Sequence, residues 1–201
     1  MSARLILASE SPRRRELLAT LGIPFEVRPS GIPEEFPSGD PRDGVTALAL
    51  AKARAVARTV EAGVVLGADT AVVLEGRVFG KPEDATDARR MLRALRGRRH
   101  EVVTGLALVE ARQRREETAS VVTEVRMASY DDATIEAYLA TGEPFDKAGA
   151  YAVQGEGGRL VEAVEGCYTN VIGLPLTTTR RLLARWGLLT HPEDPEDKAH
   201  F

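Results

Sequence analysis

Asp69 is the residue whose type fits its sequence surroundings least. It lies within VVLGADTAVVL, residues 64–74, an apolar run typical of a strand that is covered on both faces. A carboxylate in such a strand needs a cation, a metal ion or a set of hydrogen bonds, because unpaired burial is costly. Two interpretations stay open: Asp69 acts in hydrolysis as a base or a ligand, or it forms an ion pair that only ties elements together. Gly67, on the same face of the predicted strand, is expected to leave room for a ligand.

Three consecutive arginines, residues 13–15, stand at the start of a predicted helix. Ser11 suits its N-cap and Pro12 suits its first turn. Arg14 projects onto the apolar stripe of this helix, although a cation in the first turn opposes the helix dipole. Phosphate is a natural partner there, because Ser9 and the free N–H groups of the first turn point to the same place. The alternative is a solvated arginine face with a carboxylate partner inside the protein.

Lysine is rare in this arginine-rich chain, which makes each lysine informative. An ammonium group is a compact point charge that the planar guanidinium group does not imitate. Lys52 lies on the apolar face of a predicted helix, Lys81 stands in GKP after an extended segment, and Lys147 follows Asp146. The alternatives are snorkelling for Lys52 and a surface salt bridge for Lys147. The fourth lysine, Lys198, belongs to a charged C-terminal segment.

The candidate charges together leave a positive surplus that suits a triphosphate with its divalent ion. Phosphoryl and nucleotidyl transfer need mainly positioning and charge neutralisation. The sequence has no GxxxxGK[ST] loop, no GxGxxG after the first strand, no HExxH and no GxSxG. Attack by water with metal assistance is therefore the simplest chemistry. The charges counted are the cations Arg13, Arg14, Lys52, Lys81 and Lys147 and the carboxylates Glu34 and Asp69.

Composition limits the class of protein. With 201 residues and 43% hydrophobic content, the chain can bury a core as one domain or as two tightly joined lobes. Its net charge of −3 argues against a protein that coats nucleic acid. No apolar run is long enough to span a bilayer and no signal-peptide pattern is seen, so we expect a cytoplasmic protein. Cys167 is the sole cysteine, which excludes an intrachain disulfide and a cysteine-based zinc site and leaves a packing role.

Strands and helices alternate in the predicted order, with one hairpin. This order favours an α/β domain with a mixed sheet and a cleft between two lobes. We expect residues 1–189 to form a single domain, followed by a charged tail over residues 190–201. Strands are predicted at Arg4–Ala8, Phe25–Arg28, Val64–Leu74, Glu101–Val109 and Thr118–Arg126, extended segments at LVEAV and TNVIGL, and helices at Pro12–Leu21, Val45–Val60, Glu83–Leu95, Asp131–Thr141 and Pro175–Trp186.

Six segments of the sequence resemble, in order and spacing, the Maf family of nucleoside triphosphate pyrophosphatases. They are LASESPRRRELL, GADTAVV, GKPEDATDARRML, VVTG, EPFDKAGAYAVQG and VIGLPL. The match runs from about Leu5 to Leu183. The family has a mixed, twisted central sheet flanked by helices, with a deep cleft, similar to inosine triphosphate pyrophosphatases. The resemblance thus implies the architecture that the alternation of elements favours independently.

The resemblance also implies an activity. Family members hydrolyse a nucleotide between the α and β phosphates with a divalent cation (Mg, Mn or Co) and release pyrophosphate, a housecleaning role. The SPRR form resembles the branch that acts on dTTP and UTP. Two rivals stay open: a nucleotide-binding regulator of cell division or septum formation, and an inosine or xanthosine triphosphate pyrophosphatase. A nucleotide is the expected partner, with neither nucleic acid nor membrane, and family members are often homodimers.

The same resemblance assigns roles by position. Asp69 matches the proton acceptor and a metal ligand, and Glu34 matches a second ligand, although Glu35 is an alternative because Pro33 stands where the family more often has an acid. Ala152 replaces a more usual glycine. The positions tied to substrate choice are Arg13, Thr70 and Gln154, and those expected to hold phosphates are Ser9, Arg13, Arg14, Lys52, Lys81 and Lys147.

Overall fold

A computed structural model describes residues 4–33, 36, 39–112 and 115–189 of the chain. The candidate metal ligands Glu34 and Glu35 lie outside these residues, as does the predicted tail over residues 190–201. Within the described ranges, no helix is both long and apolar enough to cross a membrane.

One mixed sheet forms the centre of the described chain. Its strands follow the order β2-β1-β3-β5-β6-β7, and β4 pairs with β3. Strand β1 runs parallel to β2 and β3, and the remaining pairs are antiparallel, which confirms the predicted mixed sheet. The strands are β1 (Leu5–Leu7), β2 (Phe25–Val27), β3 (Val64–Leu74), β4 (Arg77–Phe79), β5 (Arg99–Glu110), β6 (Glu116–Met127) and β7 (Val161–Glu165).

Helices flank this sheet, and three short 3-10 segments lie between the fourth helix and β7. The helix predicted at Val45–Val60 begins earlier, at Pro41, because Asp40 caps it through a 2.8 Å hydrogen bond from the Arg42 N–H. The helices are α1 (Pro12–Ala19), α2 (Pro41–Ala57), α3 (Ala85–Leu95), α4 (Asp132–Leu139), α5 (Tyr168–Ile172) and α6 (Leu176–Arg185), and the 3-10 segments are Glu143–Asp146, Ala148–Ala150 and Gly155–Leu160.

Helix α2 lies unusually close to the sheet because two glycines face it. A Cβ atom on Gly67 would lie 2.1 Å from the backbone oxygen of Ala49, and one on Gly105 would lie 2.4 Å from that of Val45. The backbone of α2 thus fills the space that a side chain would take. The expectation that Gly67 leaves room for a ligand is wrong, since the helix occupies that space.

The buried core divides into two large clusters near opposite ends of β3. One cluster is built around β1, α1 and α6 and includes Leu7, Leu18 and Leu182. The other is built around α3, α4 and the 3-10 segments and includes Leu92 and Tyr138. The cleft described below takes residues from both sides, in keeping with the predicted division into two lobes.

Two predicted features differ in the structure. TNVIGL was expected to be extended, but its first four residues belong to helix α5. Asn170 explains the difference: its Nδ2 atom donates hydrogen bonds to the Val102 carbonyl at 2.9 Å and to the Thr123 hydroxyl at 3.0 Å. These contacts outweigh the strand propensity of the β-branched residues. The second difference is strand β4, which was not predicted and which follows a two-residue turn at Glu75 and Gly76 with positive φ at both positions.

Candidate functional site

The cleft opens where strand β3 passes from one partner to another. Its first residues pair with β1 and its last residues pair with β4, so residues 67–71 lie between the two pairings. Asp69, Thr70 and Ala71 from this stretch line a cavity of about 720 Å³. This volume lies within the usual range for sites that bind small molecules. The other walls come from the start of α1, from α2 and from residues 146–154.

A buried ion pair joins α2 to β3 at the cleft. The Lys52 Nζ atom lies 2.6 Å from Asp69 Oδ1, and the two side chains are only 6% and 10% exposed. Lys52 therefore points inward, and of the two outcomes left open by its place on the apolar helix face, snorkelling is wrong. The pair is a charge-assisted hydrogen bond, a short and strong type of contact. Its geometry agrees with both interpretations of Asp69, because the carboxylate has a structural partner and also faces the cleft.

Arg14 enters the cleft from the first turn of α1 and is held by a set of hydrogen bonds. Its Nε atom donates to the Gly173 carbonyl at 2.9 Å, and its guanidinium nitrogens donate to the hydroxyls of Thr70 at 3.0 Å and Ser9 at 3.4 Å. The Thr70 hydroxyl also lies 2.9 Å from that of Thr104. Three predicted residues thus come together on the sheet face opposite to Asp69, since neighbouring strand residues alternate.

Arg13 and Lys147 meet at the other wall of the cleft through Asp146. Arg13 Nη1 lies 3.7 Å from Asp146 Oδ2, and Lys147 Nζ lies 2.6 Å from Asp146 Oδ1. Lys147 also donates to the Glu143 carbonyl at 2.6 Å, and its side chain is only 11% exposed. The Lys147–Asp146 contact considered from the sequence therefore exists, but its lysine is mostly buried.

The remaining predicted residues, Lys81 and Gln154, also line the cleft, and both are exposed. All the predicted positions that fall within the described residues thus contribute to one cavity. This shared cavity is compatible with the predicted roles, which stay predictions.

Sequence analysis missed a pair behind the cleft wall, His100 and Tyr151. His100 Nε2 lies 2.7 Å from the Tyr151 hydroxyl, and Tyr151 lines the cleft. Burial lowers the pKa of His100 to about 4 and raises the pKa of the Tyr151 phenol well above its ordinary value. His100 is therefore neutral at pH 7. A histidine on the core-facing side of a long strand was the available indication.

Of the two positions predicted to hold a divalent cation, Asp69 is the one within the described residues, and its carboxylate lines the cleft. Among the residues that the structure describes, no three His, Cys, Asp or Glu side chains come close enough to hold a metal ion. Mg²⁺ often binds through one or two carboxylates together with substrate phosphates and water. A carboxylate facing a cavity lined by arginine and lysine fits a cation that enters with a nucleotide.

Comparisons with known proteins place this chain in a family. A family model described as "Maf-like protein" matches residues 4–186. A curated relative from Anaeromyxobacter dehalogenans, named dTTP/UTP pyrophosphatase, is 54% identical over 198 residues, 97% of this chain and 100% of the relative. A relative of the same name from Moorella thermoacetica is 53% identical over 92% of this chain and 96% of its own length. A solved structure from Mycobacterium abscessus, titled nucleoside-triphosphatase / dITP/XTP pyrophosphatase, is 17% identical, with a TM-score of 0.47, and the match covers 94% of this chain and 100% of that one.

Proposed function

This chain belongs to the family of Maf-like proteins, and from that premise we propose that it hydrolyses dTTP and UTP to the nucleoside monophosphate and pyrophosphate. The relatives that are about half identical over nearly the whole chain carry the name dTTP/UTP pyrophosphatase. The observation that supports the proposal most strongly is the buried Lys52–Asp69 pair in a cleft lined by further cations. Such a cleft matches a polyanion in charge and size.

Arginine and lysine have different tasks in this proposal. Arg14 is oriented by three hydrogen bonds and presents a planar fork that suits two phosphate oxygens at once. Lys81 and Lys147 supply point charges from other walls. Thr70 and Gln154 line the same cavity and, with Arg13, are the proposed determinants of base choice. The nucleotide would thus contact every wall.

Hydrolysis between the α and β phosphates needs a water molecule that loses a proton as it attacks. The water oxygen bonds to the α-phosphorus while the bond to the bridging oxygen breaks, and its electron pair leaves with pyrophosphate. Asp69 is the proposed acceptor of the proton. The ammonium group of Lys52, 2.6 Å away, holds the carboxylate in one orientation. Rigid placement of this kind lets a single base act without reorganisation.

Metal dependence is part of the proposal. When bound, a divalent cation would polarise phosphate oxygens and neutralise charge that develops on the leaving pyrophosphate. Asp69 is the described residue that would hold it, with Glu34 or Glu35 as the second proposed ligand. Chelation of divalent ions should abolish turnover, and addition of Mg²⁺, Mn²⁺ or Co²⁺ should restore it. Full activity after chelation would remove the metal from the proposal.

Product analysis tests the proposed bond. Purified protein is incubated with UTP and with dTTP in the presence of Mg²⁺, and the products are separated by anion-exchange chromatography. We expect nucleoside monophosphate and pyrophosphate in equal amounts. Nucleoside diphosphate with orthophosphate would contradict the assignment of the α–β bond.

The same assay separates the two rivals. Tight binding of UTP without turnover would favour a nucleotide-binding regulator of cell division. Preference for inosine or xanthosine triphosphate in a purine panel would favour the purine pyrophosphatase. A cytoplasmic location, a homodimer and the absence of nucleic-acid binding stay predictions of the sequence and the resemblance.

A further inference from the structure

Residues 143–157 form a loop whose two ends are joined by one carboxylate, that of Glu143; we call this segment the 143–157 loop. Glu143 Oε2 accepts a hydrogen bond from the Glu156 N–H at 3.0 Å, and Oε1 accepts one from the Gly157 N–H at 3.1 Å. Oε1 also accepts a hydrogen bond from the Tyr138 hydroxyl at 2.9 Å. One side chain therefore accepts hydrogen bonds from three donors, one in helix α4 and two at the end of the loop.

The glycines near the end of the loop are required by this carboxylate. A Cβ atom on Gly155 would lie 2.7 Å from Glu143 Oε2, and φ at Gly155 is +71°. A Cβ atom on Gly157 would lie 2.5 Å from the Tyr138 hydroxyl. The GEGG sequence thus keeps side chains away from the carboxylate so that the backbone N–H groups can reach it.

The carboxylate is anchored to the protein core and is charged at neutral pH. Tyr138 is 1% exposed and belongs to the core cluster around α3 and α4. Burial alone would raise the pKa of the Glu143 carboxyl. The N–H groups of Gly157 and Glu156, the Tyr138 hydroxyl and the Lys147 ammonium outweigh burial and hold the pKa below its ordinary value.

The 143–157 loop carries much of one wall of the cleft. Lys147, Tyr151 and Gln154 all line the cavity. The backbone carbonyl of Glu143 accepts a hydrogen bond from Lys147 Nζ at 2.6 Å, so the same residue also holds the ammonium group. Glu143 is not among the described residues that line the cavity. Any effect of its side chain on a ligand must therefore pass through the loop.

We infer that Glu143 is a positioning residue for the nucleotide, because its carboxylate closes the 143–157 loop and so fixes Lys147 and Gln154 towards the cleft. This inference rests on the proposed function and extends it to a residue that does not touch the substrate. Lys147 and Gln154 would bind phosphates and base alike in the ground state and the transition state. Loss of such uniform binding raises KM and leaves kcat nearly unchanged.

The kinetic test uses substitutions that open the loop from opposite sides. Glu143→Gln removes one acceptor oxygen and turns an NH₂ group towards a backbone N–H, and Gly155→Ala pushes a methyl group into the carboxylate. For both variants we expect KM for UTP to rise about tenfold while kcat changes less than about threefold. Tyr138→Phe removes one donor of three and should raise KM about two- to threefold. If the first two variants fail to fold, the KM of this milder variant still tests the inference.

Glu156→Gln is the matched control. Its side chain lies on the same loop, is exposed and pairs only with Arg159 among the described contacts, while its N–H group to Glu143 is kept. We expect wild-type KM and kcat from this variant. Amide hydrogen exchange of residues 147–157 in ligand-free protein provides a second readout, and exchange should accelerate in Glu143→Gln and remain unchanged in the control.

The outcomes separate this inference from the proposed function. If the wild-type protein hydrolyses UTP and the opened variants keep its KM, with only a lower Tm, Glu143 is merely structural and the inference is wrong. If the wild-type protein binds UTP without turnover, the same ratios are measured on Kd, and a weakening of about tenfold supports the inference. If the wild-type protein neither binds nor hydrolyses UTP, both the proposed function and the inference fall.

Discussion

The two walls of the cleft each present a lysine, but they hold it in different ways. Lys52 comes from α2, whose backbone packs directly onto Gly67 and Gly105, and its ammonium group meets the Asp69 carboxylate. Lys147 comes from the 143–157 loop, where a carbonyl and the Asp146 carboxylate hold it. Packing fixes the first wall and hydrogen bonds fix the second.

This difference has consequences for how each wall responds to change. Close-packed interiors resist added volume, because even one methyl group forces a shift of backbone or side chains. Hydrogen-bonded loops depend on the identity and protonation of a few polar groups. We therefore expect the structure of the α2 wall to be sensitive to added atoms, and the structure of the loop wall to be sensitive to polar substitution and pH.

The largest expected effect comes from the same substitution applied to the carboxylate partner on each wall. Asp69→Asn should lower kcat by about 10²–10⁴, because it removes the proposed proton acceptor. Asp146→Asn should lower kcat by less than about tenfold, since its side chain is 65% exposed and salt bridges at such sites are weak. Steady-state rates of pyrophosphate release measure both. Equal losses of kcat in the two variants would mean that the two carboxylates do not differ in their contribution to turnover.

The pH dependence of stability should come from His100, which lies behind the loop wall and contacts Tyr151. Burial holds the pKa of His100 at about 4 in the folded protein, against 6.5 ordinarily. Below pH 6.5 the unfolded chain binds a proton that the folded chain does not, so stability falls between pH 6.5 and about 4 and then levels off. The integrated loss is on the order of 3 kcal/mol.

His100→Gln is the matched variant for this prediction, because it can still bond to Tyr151 but does not titrate. Urea unfolding at pH 7.0, 6.0 and 5.0 should show a smaller decline in the variant than in the wild type. Identical declines would mean that other groups control acid stability.

Added volume on the α2 wall should have the next largest effect. Gly67→Ala would bring a methyl group against the Ala49 carbonyl oxygen and should lower the free energy of unfolding by about 1–3 kcal/mol. Gly80→Ala is the control, because its Cβ would meet nothing within 4 Å, and it should change stability by less than about 0.5 kcal/mol. Urea denaturation measures the free energy of unfolding of both variants. A fully stable Gly67→Ala would show that α2 can shift and that packing does not fix this wall.

The smallest effect is expected for an ion pair on the outside of α2. Arg54 contacts Glu116 with nitrogen to oxygen distances of 2.7 and 2.5 Å, but the pair is exposed. Arg54→Ala should reduce stability by less than about 1 kcal/mol and leave turnover unchanged. A larger loss, seen by urea unfolding, would mean that this pair contributes to the placement of Lys52.

Local patterns in the sequence predicted the sheet and most helices, and they left the Lys52 side chain open between pointing inward and snorkelling. They did not predict helix α5 or the role of Gly67. Short apolar segments such as TNVIGL are ambiguous in periodicity, and a buried asparagine decided the outcome by bonding to two strands. Likewise, a glycine in a strand is compatible with an open site or with close packing, and only the path of α2 distinguishes them.

The sequence by itself determined which residue types stand on which elements: a carboxylate within an apolar strand, lysine on an apolar helix face, and arginine at a helix start. Only the tertiary structure decided which of these groups meet. Arg14 is bound by a carbonyl at Gly173, and Glu143 closes a loop through Gly157. Periodicity depends on neighbours within a few residues, whereas these contacts depend on the distance between segments that are remote in the chain and come together only when the sheet and its helices pack.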